Sequence, residues 1–413
     1  MKDGAPKKIF QQGMELQAKC TIFAEVCRGH LSNFVMEKVS FFCNPELQNF
    51  SLVKYVKAIF FSQSLYRLQE ECDPMTYGLG FKELLLIDKS KYTPGYDLQS
   101  HGGSFMYHIE DNGQPLVSLG LIIGLDYKNP HTNLYQTSLF HKMNEDLEFQ
   151  LFKSHLSILH YLEGGERITY DARTVNEGGY QTVPQLTVPG GCLVGCAAGL
   201  MNPAKIKGVH NAMKNGMIAA EAIFEDLGPH TRTVIPEDFK PELYKSYIIK
   251  EMRRMRNVRP SFRSRFGWIV GLPYMAYLIL HFFICYYVEM NHGPSKIKLK
   301  TGFRQIQRGK CDSWPFYLQS TSINYPKPVG KVTFDILSSV ALTGTNHEEN
   351  PHLLWRNDAD AELTTWRRFA GMTERFCPAG VYEYVPCETK VNTRRLQINF
   401  QNCIHCKTCD IKQ

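Results

Sequence analysis

The sequence predicts a chain of mixed α+β and α/β character divided into several domains, and three observations carry that expectation. Short apolar runs between about 74 and 128 (KELLLID, GGSFMYH, LVSLGLIIGLDY) alternate with Gly, Pro and Asn, the punctuation of β-structure. Residues 189–224 read as a short strand, a glycine-rich loop and a helix rich in small residues. The C-terminal part is loop-rich and ends in a cysteine cluster. At 413 residues and 43% hydrophobic content the chain is long enough for more than one buried core.

Taken in order, residues 13–31 predict a strand whose apolar end, Cys20 to Ala24, runs into a turn at Glu25 to Gly29. The β-rich stretch after 74 reads as a substrate-covering sheet. The helix after the glycine loop opens at about Val209, and Ala212, Gly216, Ala219 and Ala220 would let it press onto a sheet. Residues 229–265 look helical and basic, with Arg253, Arg254, Arg256, Arg259, Arg263 and Arg265 close together. The formal charge of +7 is otherwise too dispersed to argue for nucleic acid. The 13 cysteines are spread irregularly except at the C-terminus, which suits a reducing compartment better than a disulfide scaffold. Residues 1–8 carry neither a signal-peptide core nor an Arg-rich transit pattern.

The chemistry is most explicit in the run Cys403-Ile-His-Cys406-Lys-Thr-Cys409, preceded by Cys377-Pro378. Three cysteines at two-residue intervals can hold three corners of a [4Fe-4S] cubane, and a Cys-Pro is a usual donor for the fourth. A structural zinc site satisfies the same ligand count, although such sites more often pair two Cys-x-x-Cys knuckles. Cys387 reads as a bystander. The hydroxyls of Tyr382 and Thr408 lie where they could donate to sulfur and raise the reduction potential, or simply pack.

Two further segments admit two readings each. The loop Gly195-Cys-Ala-Ala-Gly199-Leu-Met-Asn202, followed by Gly208, lets a backbone approach a flat cofactor and presents a helix N-terminus to an anionic edge, but such a turn is also ordinary structure. No Gly-x-Gly-x-x-Gly occurs in the chain. Residues 266–288 hold no formal charge, and a continuous helix there would be about 35 Å long, enough to span a bilayer. Gly267, Gly271, Pro273 and His281 interrupt it, and Trp268, Tyr274, Tyr277, Tyr286 and Tyr287 supply interfacial aromatics, so a hairpin dipping into one leaflet fits better, with a buried core segment as the alternative.

These features together resemble the electron transfer flavoprotein-ubiquinone oxidoreductase family. The likeness rests on KDGAPK at 2–7, GMELQAKCTIFAE at 13–25, GGSFMYH at 102–108, LIIGLDYKNP at 121–130, LEGGERI at 162–168 and NEGGYQ at 176–181. It continues through GGCLVGC at 190–196, MNPAKIKG at 201–208, LSSVALTGTNHE at 337–348, RFCPAGVYEYVP at 375–386 and LQINFQNCIHCKTCDIK at 396–412. The resemblance implies an incomplete glutathione-reductase-type FAD domain, a β-rich ubiquinone-binding domain and a ferredoxin-like 4Fe-4S domain. The expected division is 1–70 (FAD-domain remnant with an insertion), 71–175 (ubiquinone binding), 176–230 (C-terminal part of the FAD domain), 231–300 (helical, membrane-contacting) and 301–413 (cluster domain). In the family FAD takes electrons singly from electron transfer flavoprotein, the cluster shares the relay, and ubiquinone is reduced at the matrix side of the mitochondrial inner membrane. By the same resemblance Gly195, Gly199, Asn202, Gly208 and Val209 face the flavin, and Gly102 and Gly103 border the quinone. Trp268, Ile269, Leu278, Phe282 and Phe283 are the expected membrane contacts of a protein seated in one leaflet.

The departures from the family pattern set further expectations. The family continues N-terminally beyond this start, through the first βαβ unit, so the isolated chain is expected to bind FAD poorly. Val26 stands where the family has glycine, a costly exchange if φ is positive there. Val209 replaces a threonine. Residues 45–70 and 132–160 look like insertions. The alternative to a quinone oxidoreductase is an iron-sulfur electron-transfer or binding module without a working FAD site.

Overall fold

In this computed structural model the described residues are 11, 14, 16–32, 68, 72–99, 103–127, 130–134, 149–205, 207–229, 233–258, 269, 273–274, 276–277, 280, 328–345, 353, 365–386 and 394–412. In chain order their strands are β1 (Thr21–Phe23), β2 (Tyr77–Leu86), β3 (Asp97–Gln99), β4 (Ser104–Asp111), β5 (Gln114–Gly124), β6 (Glu166–Asn176), β7 (Thr187–Val188), β8 (Gly191–Leu193), β9 (Tyr382–Pro386) and β10 (Arg394–Ile398). Their principal helices are α1 (Phe149–Lys153), α2 (Leu156–Leu162), α3 (Val209–Asp226), α4 (Phe239–Lys245), α5 (Tyr247–Met255), α6 (Ile336–Val340), α7 (Arg367–Phe369), α8 (Met372–Phe376) and α9 (Thr408–Lys412). The chain divides into two units: residues 1–15, 77–175 and 309–413 form one, and residues 16–76 and 176–308 the other.

The first unit is built on a sheet of order β3-β4-β5-β2-β6. Alternation sets its inner face: Leu79, Phe81 and Leu85 of β2, and Val117, Leu119 and Leu121 of β5, are buried together. β4 and β5 form a hairpin closed by Asn112 and Gly113, both at positive φ, the Asn-Gly turn whose twist matches paired strands. At the centre, Gly120 leaves no room for a side chain, since a Cβ would lie 2.5 Å from the Phe81 carbonyl. Phe149 of α1 stacks on Phe81 at 5.5 Å. The C-terminal segment completes this core with Phe376, Cys377, Tyr382 and Cys406, so the sheet and the cysteine loops share one interior. Arg375 ties the segment down by donating to the carbonyls of Pro130, Ala370 and Phe369 at 2.6, 2.8 and 2.7 Å.

A charge cluster lies in the same unit. Glu83 of β2 accepts from Lys153 of α1 at 2.9 Å and from Arg167 of β6 at 3.2 Å, with the carboxylate fully buried. Arg167 also donates to Ser339 at 2.6 Å and Ser338 at 3.3 Å, and its guanidinium lies 3.8 Å from the Phe334 ring centre. The cluster therefore joins the sheet to α6.

In the second unit β1 pairs parallel with β8, and β7 pairs antiparallel with β8. The turn, glycine loop and helix expected from the sequence are present, with α3 opening at Val209, while the strand expected within 13–31 is confined to Thr21–Phe23 among the described residues. Two details differ. The left-handed residue in the turn after β1 is Arg28 (φ 57°), not Val26, whose φ is not positive, so the valine carries no such strain. The buried face of α3 is formed by Asn211, Asn215, Ile218, Ala219, Ala222 and Ile223, while Ala220 is exposed and Gly216 has open space beside it. Of the four small residues expected to press on the sheet, Ala219 is fully buried and Ala212 lies against Gly195, whereas Gly216 and Ala220 sit a step round the 3.6-residue repeat from the buried face.

Among the described residues no helix is long and apolar enough to cross a membrane. Within 266–288 only Ile269, 273–274, 276–277 and Leu280 are described. Trp268, Leu278, Phe282 and Phe283 lie outside the described residues, as do Gly102, Cys387, residues 135–148 of the expected 132–160 insertion and all of the expected 45–70 insertion except Leu68.

Candidate functional site

The four cysteines singled out by spacing come from two loops. Cys377 ends α8, and Cys403 ends a 3-10 turn at Phe400–Asn402. Between the later cysteines His405 (φ 57°) and Lys407 (φ 68°) are both left-handed, a costly conformation for side-chain-bearing residues and one that curls the chain tightly. All four cysteines line one cavity, together with Leu353, Phe376, Pro378, Ala379, Val381, Tyr382, Ile404, Lys407 and Thr408. Among the described residues no three His, Cys, Asp or Glu side chains converge to hold a single metal ion. Four sulfurs around a cavity, rather than around a point, fit a four-iron cubane better than tetrahedral zinc.

Donors surround these sulfurs. The Val381 N–H approaches Cys377 Sγ at 3.5 Å and the His405 N–H approaches Cys403 Sγ at 3.4 Å. The Thr408 hydroxyl lies 3.2 Å from Cys406 Sγ, and the Tyr382 hydroxyl bonds Cys409. Burial pushes the Cys377 thiol up to about 11 and raises Cys406 as well, so without a cation these thiols keep their protons. Three hydrogen bonds from β6 hold the two loops: Tyr170 Oη donates to the Pro378 carbonyl at 2.9 Å, Arg173 to the His405 carbonyl at 2.8 Å, and the Thr174 N–H to the Cys406 carbonyl at 3.1 Å.

Of the two glycines expected near a quinone, Gly103 is described. It has φ +89°, its carbonyl accepts the Ile122 N–H at 3.0 Å, and a Cβ would meet the Ile122 carbonyl at 3.1 Å. Glycine is required here by the backbone itself.

The residues expected to face a flavin are largely spent on internal contacts. Gly195 donates its N–H to Asn215 Oδ1 at 2.8 Å and packs on Ala212, and a side chain at Gly199 would strike Met75. Gly208 lies against Met201. Asn202 is fully buried, donates to Glu251 at 2.6 Å and accepts from the N–H groups of Ala204 and Lys205. One feature does fit a flavin edge: Gly208 provides no side-chain cap for α3, and Val209 beside it is exposed, so the first N–H groups of an 18-residue helix meet no capping side chain.

Comparison with known proteins bears on this arrangement directly. A family profile described as "Electron transfer flavoprotein-ubiquinone oxidoreductase, 4Fe-4S" matches residues 330–413, and one described as "ETF-QO, ubiquinone-binding" matches residues 77–175. Proteins named electron transfer flavoprotein-ubiquinone oxidoreductase, mitochondrial, are similar along the whole of this chain: 45% identical in Caenorhabditis elegans, 42% in Homo sapiens and 39% in Dictyostelium discoideum. Both matched segments are domains of the electron transfer flavoprotein-ubiquinone oxidoreductase family. The chain spans about three-fifths of the length of those curated relatives, covering 62%, 60% and 62% of them respectively. Among solved structures, a geranylgeranyl bacteriochlorophyll reductase-like protein from Thermoplasma acidophilum aligns at 15% identity over 68% of this chain and 57% of that one, with a TM-score of 0.30, too low to bear on the fold.

The sequence reading missed the residues that hold these loops in place. Asn211 donates to the Leu200 carbonyl at 2.9 Å and Asn215 accepts from Gly195, one helical turn apart on α3. Their spacing of four, next to a glycine loop, was the available signal. Tyr170, Arg173 and Thr174 carried none, because their partners lie more than two hundred residues away in the chain.

Proposed function

We propose that this chain is the cluster- and quinone-binding part of an electron-transferring-flavoprotein dehydrogenase, passing electrons from reduced electron transfer flavoprotein to ubiquinone at the matrix side of the mitochondrial inner membrane. The observation that carries the reading is the shared interior: four cysteines line one cavity within the same core as the 77–175 sheet. Cys377, Cys403, Cys406 and Cys409 would hold a [4Fe-4S] cluster, which when bound accepts and gives up one electron at a time. Bound as thiolates, Cys406 and Cys409 could only accept, so the Thr408 and Tyr382 hydroxyls would donate to them and raise the potential. Gly102 and Gly103 border the quinone head group, where Gly103 shapes the strand entry and β6 fixes the sheet against the cysteine loops. The finer division at 71–175 and 301–413 into quinone and cluster domains belongs to this reading, as does that of 1–70, 176–230 and 231–300 into FAD-domain and membrane-contacting parts.

FAD is the second carrier the family implies, with Gly195, Gly199, Asn202, Gly208 and Val209 as its candidate neighbours. Only the uncapped N-terminus of α3 supports it among these residues, so no step is derived through it. The internal use of the glycines favours a second reading, a cluster module without a working flavin site. Membrane attachment in one leaflet through Trp268, Ile269, Leu278, Phe282 and Phe283 is proposed on the exposure of Ile269 and Leu280 and on the exposed Arg253 and Arg254 at the end of α5.

Protein purified without air is expected to hold about four irons and four sulfides per chain, and Cys406→Ser to abolish both. Stoichiometric zinc with no iron after anaerobic reconstitution would overturn the assignment. The same sample separates the two readings by its visible spectrum, since flavin bands over the cluster shoulder support the full relay and the shoulder alone supports the module.

A further inference from the structure

The C-terminal helix α9 carries Cys409 and, three residues on, Lys412. Residues three apart share one side of a helix, with Cβ atoms about 5–6 Å apart, so Lys412 leaves α9 beside the Cys409 corner of the cavity. An ordinary lysine would continue into solvent. This one is buried, at 6% exposure: its ammonium donates to the Leu125 carbonyl at 3.0 Å and the Tyr127 carbonyl at 3.5 Å, and lies 3.7 Å from the Tyr127 ring centre. Leu125 belongs to the same core as Cys377, Tyr382 and Cys406. Taking an ammonium out of water is costly, and the two carbonyl dipoles and the ring face offset part of that cost.

We propose that Lys412 raises the reduction potential of the cluster held by the four cysteines, an inference that rests on the [4Fe-4S] reading above. Four thiolates outweigh the positive charge of a four-iron core, so the bound cluster is anionic and reduction makes it more so. A fixed positive charge nearby stabilises the reduced form more than the oxidised one, and burial keeps water and salt from screening it. The other charges at this site are weaker candidates. Arg173, which donates to the His405 carbonyl, is exposed, as is Asp410 on α9 itself, so solvent screens both. Lys407, between two of the ligands, is only partly buried. Lys412 differs from Tyr382 and Thr408 in acting through space, by charge and not by a hydrogen bond to sulfur.

The test is an anaerobic redox titration of the purified full chain that follows the electron paramagnetic resonance signal of the reduced cluster, with iron and sulfide counted on each sample. Lys412→Met and Lys412→Gln remove the charge, and Lys412→Arg keeps it. With iron content unchanged, the two neutral variants are expected to show a more negative midpoint. The reduced-to-oxidised ratio at the unaltered chain's midpoint should fall on the order of tenfold, equivalent to about 59 mV for one electron. Lys412→Arg should stay near the unaltered value. An unchanged midpoint in both neutral variants overturns the proposal, and so does a shift in Lys412→Arg as large as theirs, which would mark the packing of the side chain and not its charge. Loss of iron from both neutral variants would make Lys412 an anchor for α9 and overturn the proposal as well. An unaltered chain that holds no iron would defeat the cluster reading itself, and the proposal with it.

Discussion

Lys153 shows how a single side chain can report its surroundings. Glu83 receives both Lys153 and Arg167 in a site closed to water, and burial pushes the Lys153 pKa down from 10.5 to about 8 despite the neighbouring carboxylate. Between those two values the unfolded chain binds a proton that the folded chain lacks. This contribution to stability is therefore full above 10.5, and is lost as pH falls through 8. Urea titrations should show the unaltered chain gaining on Lys153→Met as pH rises from about 8 to 10; a difference that does not change with pH would remove the claim. Glu83→Gln is the harsher change, because it strands buried cations, and a loss of roughly 3–5 kcal/mol is expected from the same titration. None of this was legible beforehand. Glu83 reads as an ordinary polar residue in an alternating strand, and only the fold brings α1 and β6 to it.

At the scale of elements, the glycine loop and α3 form one device. The Gly195 N–H is buried and satisfied by Asn215, so Asn215→Ala should cost about 1–3 kcal/mol by leaving that donor without a partner, measurable as a lower urea midpoint at unchanged slope. A midpoint within error of the unaltered chain would mean that water replaces the side chain. The sequence revealed this element only in part. Its order and the start at Val209 were readable because glycine punctuation and helix onset are local signals. The face it buries was readable at Ala212 and Ala219 but not at Asn211 and Asn215, which make their bonds to backbone groups of the preceding loop. The cysteine loops mark the opposite extreme. Their ligands are given by spacing alone, yet the left-handed His405 and Lys407 between them, and the three β6 hydrogen bonds that brace them, appear only in three dimensions.

For the whole molecule, the exposed apolar residues Ile269 and Leu280 follow the basic end of α5, and attachment to anionic liposomes from one side is the expected behaviour. Flotation with and without anionic lipid measures it. Protection of a segment from carbonate extraction with protease-accessible ends on both faces would establish a span instead. The division of the chain has a consequence of another kind, for its synthesis. The 77–175 sheet completes its interior with Phe376, Cys377, Tyr382 and Cys406, and the chain between 176 and 308 belongs to the other unit. A ribosome adding about 5–20 residues each second needs on the order of ten seconds or more to make that intervening stretch. For that interval the nascent sheet waits with α1 and α2 as the cover of its inner face, a natural client for a chaperone until the C-terminal segment arrives.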